Sequence, residues 1–384
     1  MARRPQKLLT PGPTSVPPEV LRALAEPVLH HRSPDFAEVF ALAQERLRQV
    51  FRTDAEVLVF TSSGTGAFES ALVNLLSPGD RVLAVSQGEF GERWQKMATA
   101  LGCDVVPLTY AWGESPRPDD LRDALTESGA ETVFLVHSET STGVVSELEP
   151  LLQVCAEAGA LSIVDAVSSL GAVPLDTDAW GADVVVTGSQ KALMTPPGLA
   201  FAAVSERAWE RTATATLPRF YWDWARQRRV QETGSTPFTP ATSLVVALVE
   251  ALGIVLDGGL ETAFARHRAL GRACRAGIKA IGLELYSPDD DSAAVLTGAL
   301  TPDGIDAVEL RLALRERHGI TIAGGHGELV PRLFRIGHIG HVSVEDIAEA
   351  LTAIEEELSA AGADVDLGRA APAALEAFGT VTTA

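Results

Sequence analysis

From about residue 55 to residue 205 the chain alternates short apolar, β-branched runs with amphipathic helical stretches, a pattern that few folds accept. The runs are "EVLVF", "RVLAVS", "DVVPLTY", "ETVFLVHS", "LSIVDA", "DVVVTGS" and "LAFAAVS". Between most of them lie "AFESALVNLL", "GERWQKMATALG", "PDDLRDALTES" and "LEPLLQVCAEAG". Strands without a polar face must be covered on both sides, so the expected fold is α/β, with a mainly parallel sheet sandwiched by helices. Ligands then belong at the carboxyl ends of the strands.

A second region follows the long helical stretch "ATSLVVALVEALGIVLDGG". It reads as helix ("LETAFARHRALGRACRAGIKAIG"), strand ("AVLTGAL"), helix ("DAVELRLALRERHG"), strand ("LFRIGHI") and helix ("SVEDIAEALTAIEEELSAA"), which points to a small α+β domain. The tail after about residue 362 is alanine-rich and is expected to be loosely attached. A net charge of −20 disfavours nucleic acid and anionic membranes as partners. No apolar run reaches the roughly 20 residues of a membrane span, and the N-terminus lacks a secretory apolar core, so a cytoplasmic protein is expected. Cys103, Cys155 and Cys274 have no CxxC spacing, and His30, His31, His326, His338 and His341 have no ligand spacing, so no metal is expected.

Three motifs fall at the carboxyl edge of the expected sheet. In "SSGTGAFE", Ser63, Gly64, Thr65 and Gly66 open a helix straight after a strand, which suits either an anion at the helix N-terminus or a plain Ser/Thr N-cap. The stretch fits neither GxGxxG nor a Walker loop. "LSIVDAVSSLG" ends a buried strand with Asp165, a carboxylate that is costly there without a partner. "DVVVTGSQKALMTPPG" places Lys191 just past another strand. Together they suit a phosphorylated aromatic aldehyde, with the lysine as its Schiff-base partner and the aspartate against a ring nitrogen.

Here the chain resembles the class V, fold-type I pyridoxal-phosphate aminotransferases of the alanine–glyoxylate and serine–pyruvate kind. The likeness runs from "LLTPGPTSVPPEVL" and "HHRSPDF" to "RIGHIG". It implies a seven-stranded large domain over residues 21–255, a small domain over 256–384, and an N-terminal segment, 1–20, that contributes to the active site through Gly12. It implies Lys191 as the Schiff-base lysine, Asp165 at the pyridine nitrogen and Val167 under the ring. Ser63, Gly64, Thr65 and Gln190 would hold the phosphate, and Thr140 would bond the cofactor. Phe90 occupies the place of the stacking aromatic, where relatives often carry tryptophan or tyrosine. Arg335 would clamp the substrate carboxylate. In "TGSTPFTPATS", Thr236 and Thr239 would reach the neighbouring protomer's phosphate, making a homodimer with shared sites.

The implied activity is amino transfer from alanine or serine to glyoxylate or pyruvate. A lyase, desulfurase or epimerase on the same fold is the near alternative, although none of the cysteines lies in a glycine-rich catalytic loop. A catalytically silent interaction subunit is the distant alternative, which the Asp165–Lys191 pair opposes. "RFYWDWARQRR" reads as an amphipathic helix or dimer surface, and "AGGHGEL" as a mobile loop near the substrate.

Overall fold

The structure, a computed structural model, describes residues 6–379; residues 1–5 of the N-terminal segment and 380–384 of the tail lie outside the described residues. Thirteen strands occur among the described residues. In chain order they are β1 (Lys7–Leu9), β2 (Val57–Ser62), β3 (Arg81–Ser86), β4 (Asp104–Thr109), β5 (Thr132–Val136), β6 (Ser138–Glu139), β7 (Val144–Val145), β8 (Leu161–Asp165), β9 (Val184–Gly188), β10 (Gly198–Val204), β11 (Leu296–Leu300), β12 (Ile320–Gly324) and β13 (Leu333–Gly337).

The seven expected runs form one sheet in the order β2-β10-β9-β8-β5-β3-β4. Six of the seven strands point the same way, and β10 runs antiparallel to both its neighbours, β2 and β9. Successive residues feed opposite faces. Leu83, Val85, Val133 and Leu135 join one apolar core with Phe36, Phe40 and Leu248. Val82, Ala84, Phe134 and Val136 join a second with Phe68, Trp94 and Trp224. The near-continuous apolar runs follow from this two-sided burial.

A smaller sheet has the order β1-β12-β13-β11, with β1 parallel to β12 and the other pairs antiparallel. Its core gathers Leu9, Leu270, Phe334, Ile336, Ile347 and Leu351. Strand β1 pairs Lys7 with Ile320, which stitches the N-terminal segment to the edge of this sheet. The segment then crosses to the large sheet, where the Thr14 N–H and hydroxyl donate to the carbonyls of Gln190 and Lys191, both at 3.0 Å.

The expectation of a loose tail is corrected. Ala370–Gly379 is a helix packed on the helices Leu260–Ala280 and Val344–Ala360, with Ala370 and Ala374 fully buried. The buried Glu355 carboxylate accepts the N–H groups of Gly368, Arg369 and Ala370 at 3.0, 2.9 and 2.6 Å. A negative group at a helix N-terminus is favoured by the unpaired amides and the dipole. Alanine is a strong helix former, and its small side chain permits close packing: a Cβ on Gly277 would stand 2.9 Å from the Ala370 carbonyl. Among the described residues no single helix is long and apolar enough to cross a membrane.

Candidate active site

Strands β8 and β9 run side by side, with Asp165 opposite Val186, so both deliver their next residues to one edge of the sheet. Asp165 is the last residue of β8, and Lys191 follows β9 within a tight turn closed by Met194 N–H on the Lys191 carbonyl. Both open onto a cavity of about 110 Å³. Ser63, Gly64, Thr65, Phe90, Val167 and Gln190 line it, and so do Arg93, Trp94, Ser138 and Ser168. A larger hollow of about 490 Å³, lined by Asp306, Glu309, Glu316 and Glu357, lies beside the helices Ala307–Ala313 and Val344–Ala360 and has no lysine at its wall.

One wall of the cavity is the start of the helix Gly64–Leu75. Ser63 caps it by accepting the Gly66 N–H at 3.4 Å, and Gly64 and Thr65 stand ahead of that bond. The cap and anion-site readings are therefore compatible. Both glycines are required by packing: a Cβ on Gly64 would lie 2.5 Å from Val167, and one on Gly66 only 2.1 Å from the Ser62 hydroxyl.

Asp165 is buried and doubly bonded. Its Oδ1 accepts the Val167 N–H at 2.8 Å, and its Oδ2 accepts the Trp94 indole N–H at 3.0 Å. Burial pushes its carboxyl up to about 6, against the bond from Val167, while Glu139 adds to the rise and Lys191 opposes it. Lys191 moves the other way: burial lowers its ammonium to about 8, although Asp165 favours the charged form. Its Nζ donates to the Pro11 carbonyl at 2.9 Å. The adjoining Gly12 approaches so closely that a Cβ there would be 2.6 Å from that nitrogen.

Glu139 is a site residue that the sequence pattern does not reveal. Fully buried, it accepts the N–H groups of Phe90 and Gly91 at 3.0 and 3.2 Å, and the N–H and hydroxyl of Ser141 at 3.0 and 2.6 Å. Those bonds tie the hairpin of β6 and β7 to the start of the helix Glu89–Ala100, which carries Phe90. The Arg93 guanidinium lies 4.5 Å over the Phe90 ring, and His326 meets that ring edge-on at 6.5 Å.

Thr140 is buried away from the cavity wall, and its carbonyl accepts Arg335 Nη1. Arg335, on β13, also donates to the Gly324 carbonyl at 2.6 Å and meets His326 Nε2 at 3.0 Å. Burial lowers its guanidinium to about 10, though Glu139 opposes the fall. The "AGGHGEL" segment is thus the end of β12 followed by a short 3₁₀ turn, not a free loop. Thr236 and Thr239 line a separate cleft of the same chain with Thr61, Tyr221 and Phe238. Thr236 is buried and donates its hydroxyl to the Phe238 carbonyl at 2.6 Å, whereas Thr239 is exposed.

A mainly parallel sheet here brings a lysine, a buried carboxylate and a glycine-opened helix N-terminus to one cavity, the arrangement of a fold-type I enzyme. Residues 8–343 match the family described as aminotransferase class-V. The chain is 43% identical to a protein named soluble hydrogenase, small subunit, from a Synechococcus species, over 92% of this chain and 93% of that one. It is 36% identical to a serine–glyoxylate aminotransferase of Methylorubrum extorquens, over 97% and 96%. Among solved structures, a ureidoglycine–glyoxylate aminotransferase from Bacillus subtilis superposes with a TM-score of 0.93 at 32% identity, covering 99% of each chain. The chain belongs to the class V aminotransferases, a family of pyridoxal-phosphate-dependent enzymes.

Proposed function

We propose that this protein holds pyridoxal 5'-phosphate in the cavity at the end of β8 and β9 and moves an amino group from alanine or serine to glyoxylate or pyruvate. The observation that carries the reading is that Lys191 and Asp165 share one cavity with the amides that open the helix Gly64–Leu75. The residues fit the group. Gly64 packs its bare backbone against Val167 at the cavity wall, the Gln190 Oε1 and Ser138 hydroxyl are buried without a partner among the described residues, and an acid and an amine face the same space.

Ser63, Gly64, Thr65 and Gln190 would hold the phosphate, Asp165 would meet the ring nitrogen, and Val167 and Phe90 would pack against the ring. Thr140 stands off the cavity wall and gives its carbonyl to Arg335, so its part is to place that guanidinium rather than to bond the cofactor. When bound, the cofactor supplies an aldehyde that condenses with amines and a protonated ring that takes up the electron pair of the substrate's Cα–H bond. Lys191 is suited to accept and return the proton at Cα, because burial brings its amine near neutrality. Asp165 keeps the ring nitrogen protonated through its negative charge. Arg335 binds the substrate carboxylate, exchanging a contact to its own chain for a two-pronged one. Trp94, Val167 and Phe90 exclude water around the reacting atoms.

The donor and acceptor are supported by the serine–glyoxylate and ureidoglycine–glyoxylate names of similar proteins. Residues 1–20 complete the site through Gly12, with a large domain over 21–255 and a small one over 256–384. The unit is a cytoplasmic homodimer in which Thr236 and Thr239 serve the partner's phosphate. Thr239 is the better donor, because the Thr236 proton is already given to Phe238. Dilution to monomer should then release cofactor, and full retention by a monomer rules the shared site out.

The name of the 43% identical relative favours a second reading, a subunit that keeps the fold without catalysis. One experiment separates the two. Borohydride reduction of the loaded protein and peptide mapping should find the pyridoxyl group on Lys191, and alanine or serine with glyoxylate or pyruvate should turn over. A label on another lysine, or no label, refutes the proposal; a label without turnover leaves the silent subunit.

A further inference from the structure

We propose that Trp94 is a positioning residue for Asp165: its indole N–H fixes the carboxylate in one orientation and holds it as the anion. The inference rests on reading Asp165 as the partner of the cofactor's ring nitrogen. The helix Glu89–Ala100 presents Phe90, Arg93 and Trp94 on one face, at i, i+3 and i+4, so one element builds a whole wall of the cavity. Trp94 is 1% exposed. Its ring stacks on Phe68 at 4.0 Å and 8°, and Phe68 is itself held edge-on by Phe134 at 5.5 Å and 85°. The indole cannot turn aside, and its one donor ends 3.0 Å from Asp165 Oδ2.

A phenylalanine at this position would keep the stack, so the indole N–H is what tryptophan adds. With the Val167 N–H on Oδ1, one donor from the turn after β8 and one from the facing helix hold the two carboxylate oxygens and set the plane of the group. Bonds of this kind favour the ionised form against burial. The charged groups facing Asp165 are Glu139, which disfavours that form, and Lys191, which favours it; the same helix adds Arg93 at the cavity wall. The neighbouring His137 is buried and held neutral, its imidazolium lowered to about 3 by desolvation.

The test uses the loaded holoenzyme and three substitutions. Trp94→Phe should lower kcat roughly 10- to 100-fold, the range for one hydrogen bond to a charged group, with the KM for the amino donor little changed. The acid limb of kcat, and the pH at which the bound cofactor's visible band titrates, should both move up by about one pH unit. Phe68→Leu loosens the same stack but keeps the indole N–H, so both curves should stay where they are. In an Asp165→Asn background, Trp94→Phe should change nothing further. A Trp94→Phe enzyme with a wild-type pH profile overturns the proposal, as does an equal loss in both backgrounds. If Asp165→Asn alone keeps wild-type kcat, the reading of the site fails. If it falls and Trp94→Phe does not, only the role of Trp94 fails.

Discussion

Replacing Gly12 with alanine tests whether the N-terminal segment belongs to the site. Gly12 has φ +142°, a region that L side chains rarely adopt, at a cost of about 1–3 kcal/mol. An added Cβ would also lie 2.3 Å from Lys191 Cδ, 2.5 Å from Cε and 2.6 Å from Nζ. Those atoms form the end of a flexible side chain, so the clash is relieved by swinging Lys191 aside rather than by opening the core. The lysine then loses its bond to the Pro11 carbonyl, worth about 0.5–1.5 kcal/mol, and leaves the position from which it reaches the cofactor. The expected variant is folded, with a melting temperature lower by roughly a few degrees, yet it loses at least about tenfold in cofactor retention and more in turnover. Gly79→Ala is the control: its φ of +85° carries a similar backbone cost, but beyond its chain neighbours no atom lies within 4 Å of the new methyl. It should melt earlier without losing cofactor. Calorimetry and dialysis against buffer, run on both variants, give the comparison. A Gly12→Ala enzyme that retains cofactor and activity within about threefold of wild type refutes the argument, because the lysine would then have room that the structure denies it.

The pH dependence of cofactor capture reports Lys191. Only the neutral amine attacks an aldehyde, so the apoenzyme's capture rate should rise with pH and level off above about 8, followed by stopped-flow absorbance; a rise continuing to about 10 contradicts the burial effect. Arg335→Ala should lower kcat/KM for amino acids by roughly 10- to 100-fold while cofactor retention holds, and Arg335→Lys should rescue little, since an ammonium cannot hold a backbone carbonyl and make a two-pronged carboxylate bond at once. Glu355→Ala removes the acceptor of three amides, which costs about 1–3 kcal/mol, and should raise hydrogen exchange across residues 368–379 while the active site is unaffected.

The large sheet was legible because its strands have no polar face. A run such as "TVFLV" is apolar at every position since Val133 and Leu135 serve one core while Phe134 and Val136 serve the other. The short strands of the small sheet carry a weaker signal. "ITIAG" is only five residues long and ends in glycine, and the three residues of β1 become a strand only by pairing with Ile320–Ile322. The terminal helix was hidden for a different reason. Its alanines show neither strong periodicity nor bulk, and what holds it is a neighbour that accommodates small side chains and a glutamate thirteen residues earlier than the first amide it caps.

Within the site, the legible residues are those whose position along the chain reveals a cost. A carboxylate ending an apolar strand, and glycines opening a buried helix, both call for a partner on the grounds of sequence alone. Trp94 and Glu139 carry no such mark. A tryptophan inside an amphipathic helix satisfies the apolar pattern whether or not its N–H matters, and Glu139 in "HSETSTG" is indistinguishable from a solvated loop acid. Their roles emerge from contacts across long stretches of chain: Trp94 with Asp165, and Glu139 with the amides of Phe90 and Gly91. The same helix start therefore places the aromatic wall of the cavity and, one turn on, the donor behind its acid. One element thus supplies one wall of the pocket and one of the two donors on its carboxylate, and a shift of that helix would disturb both together.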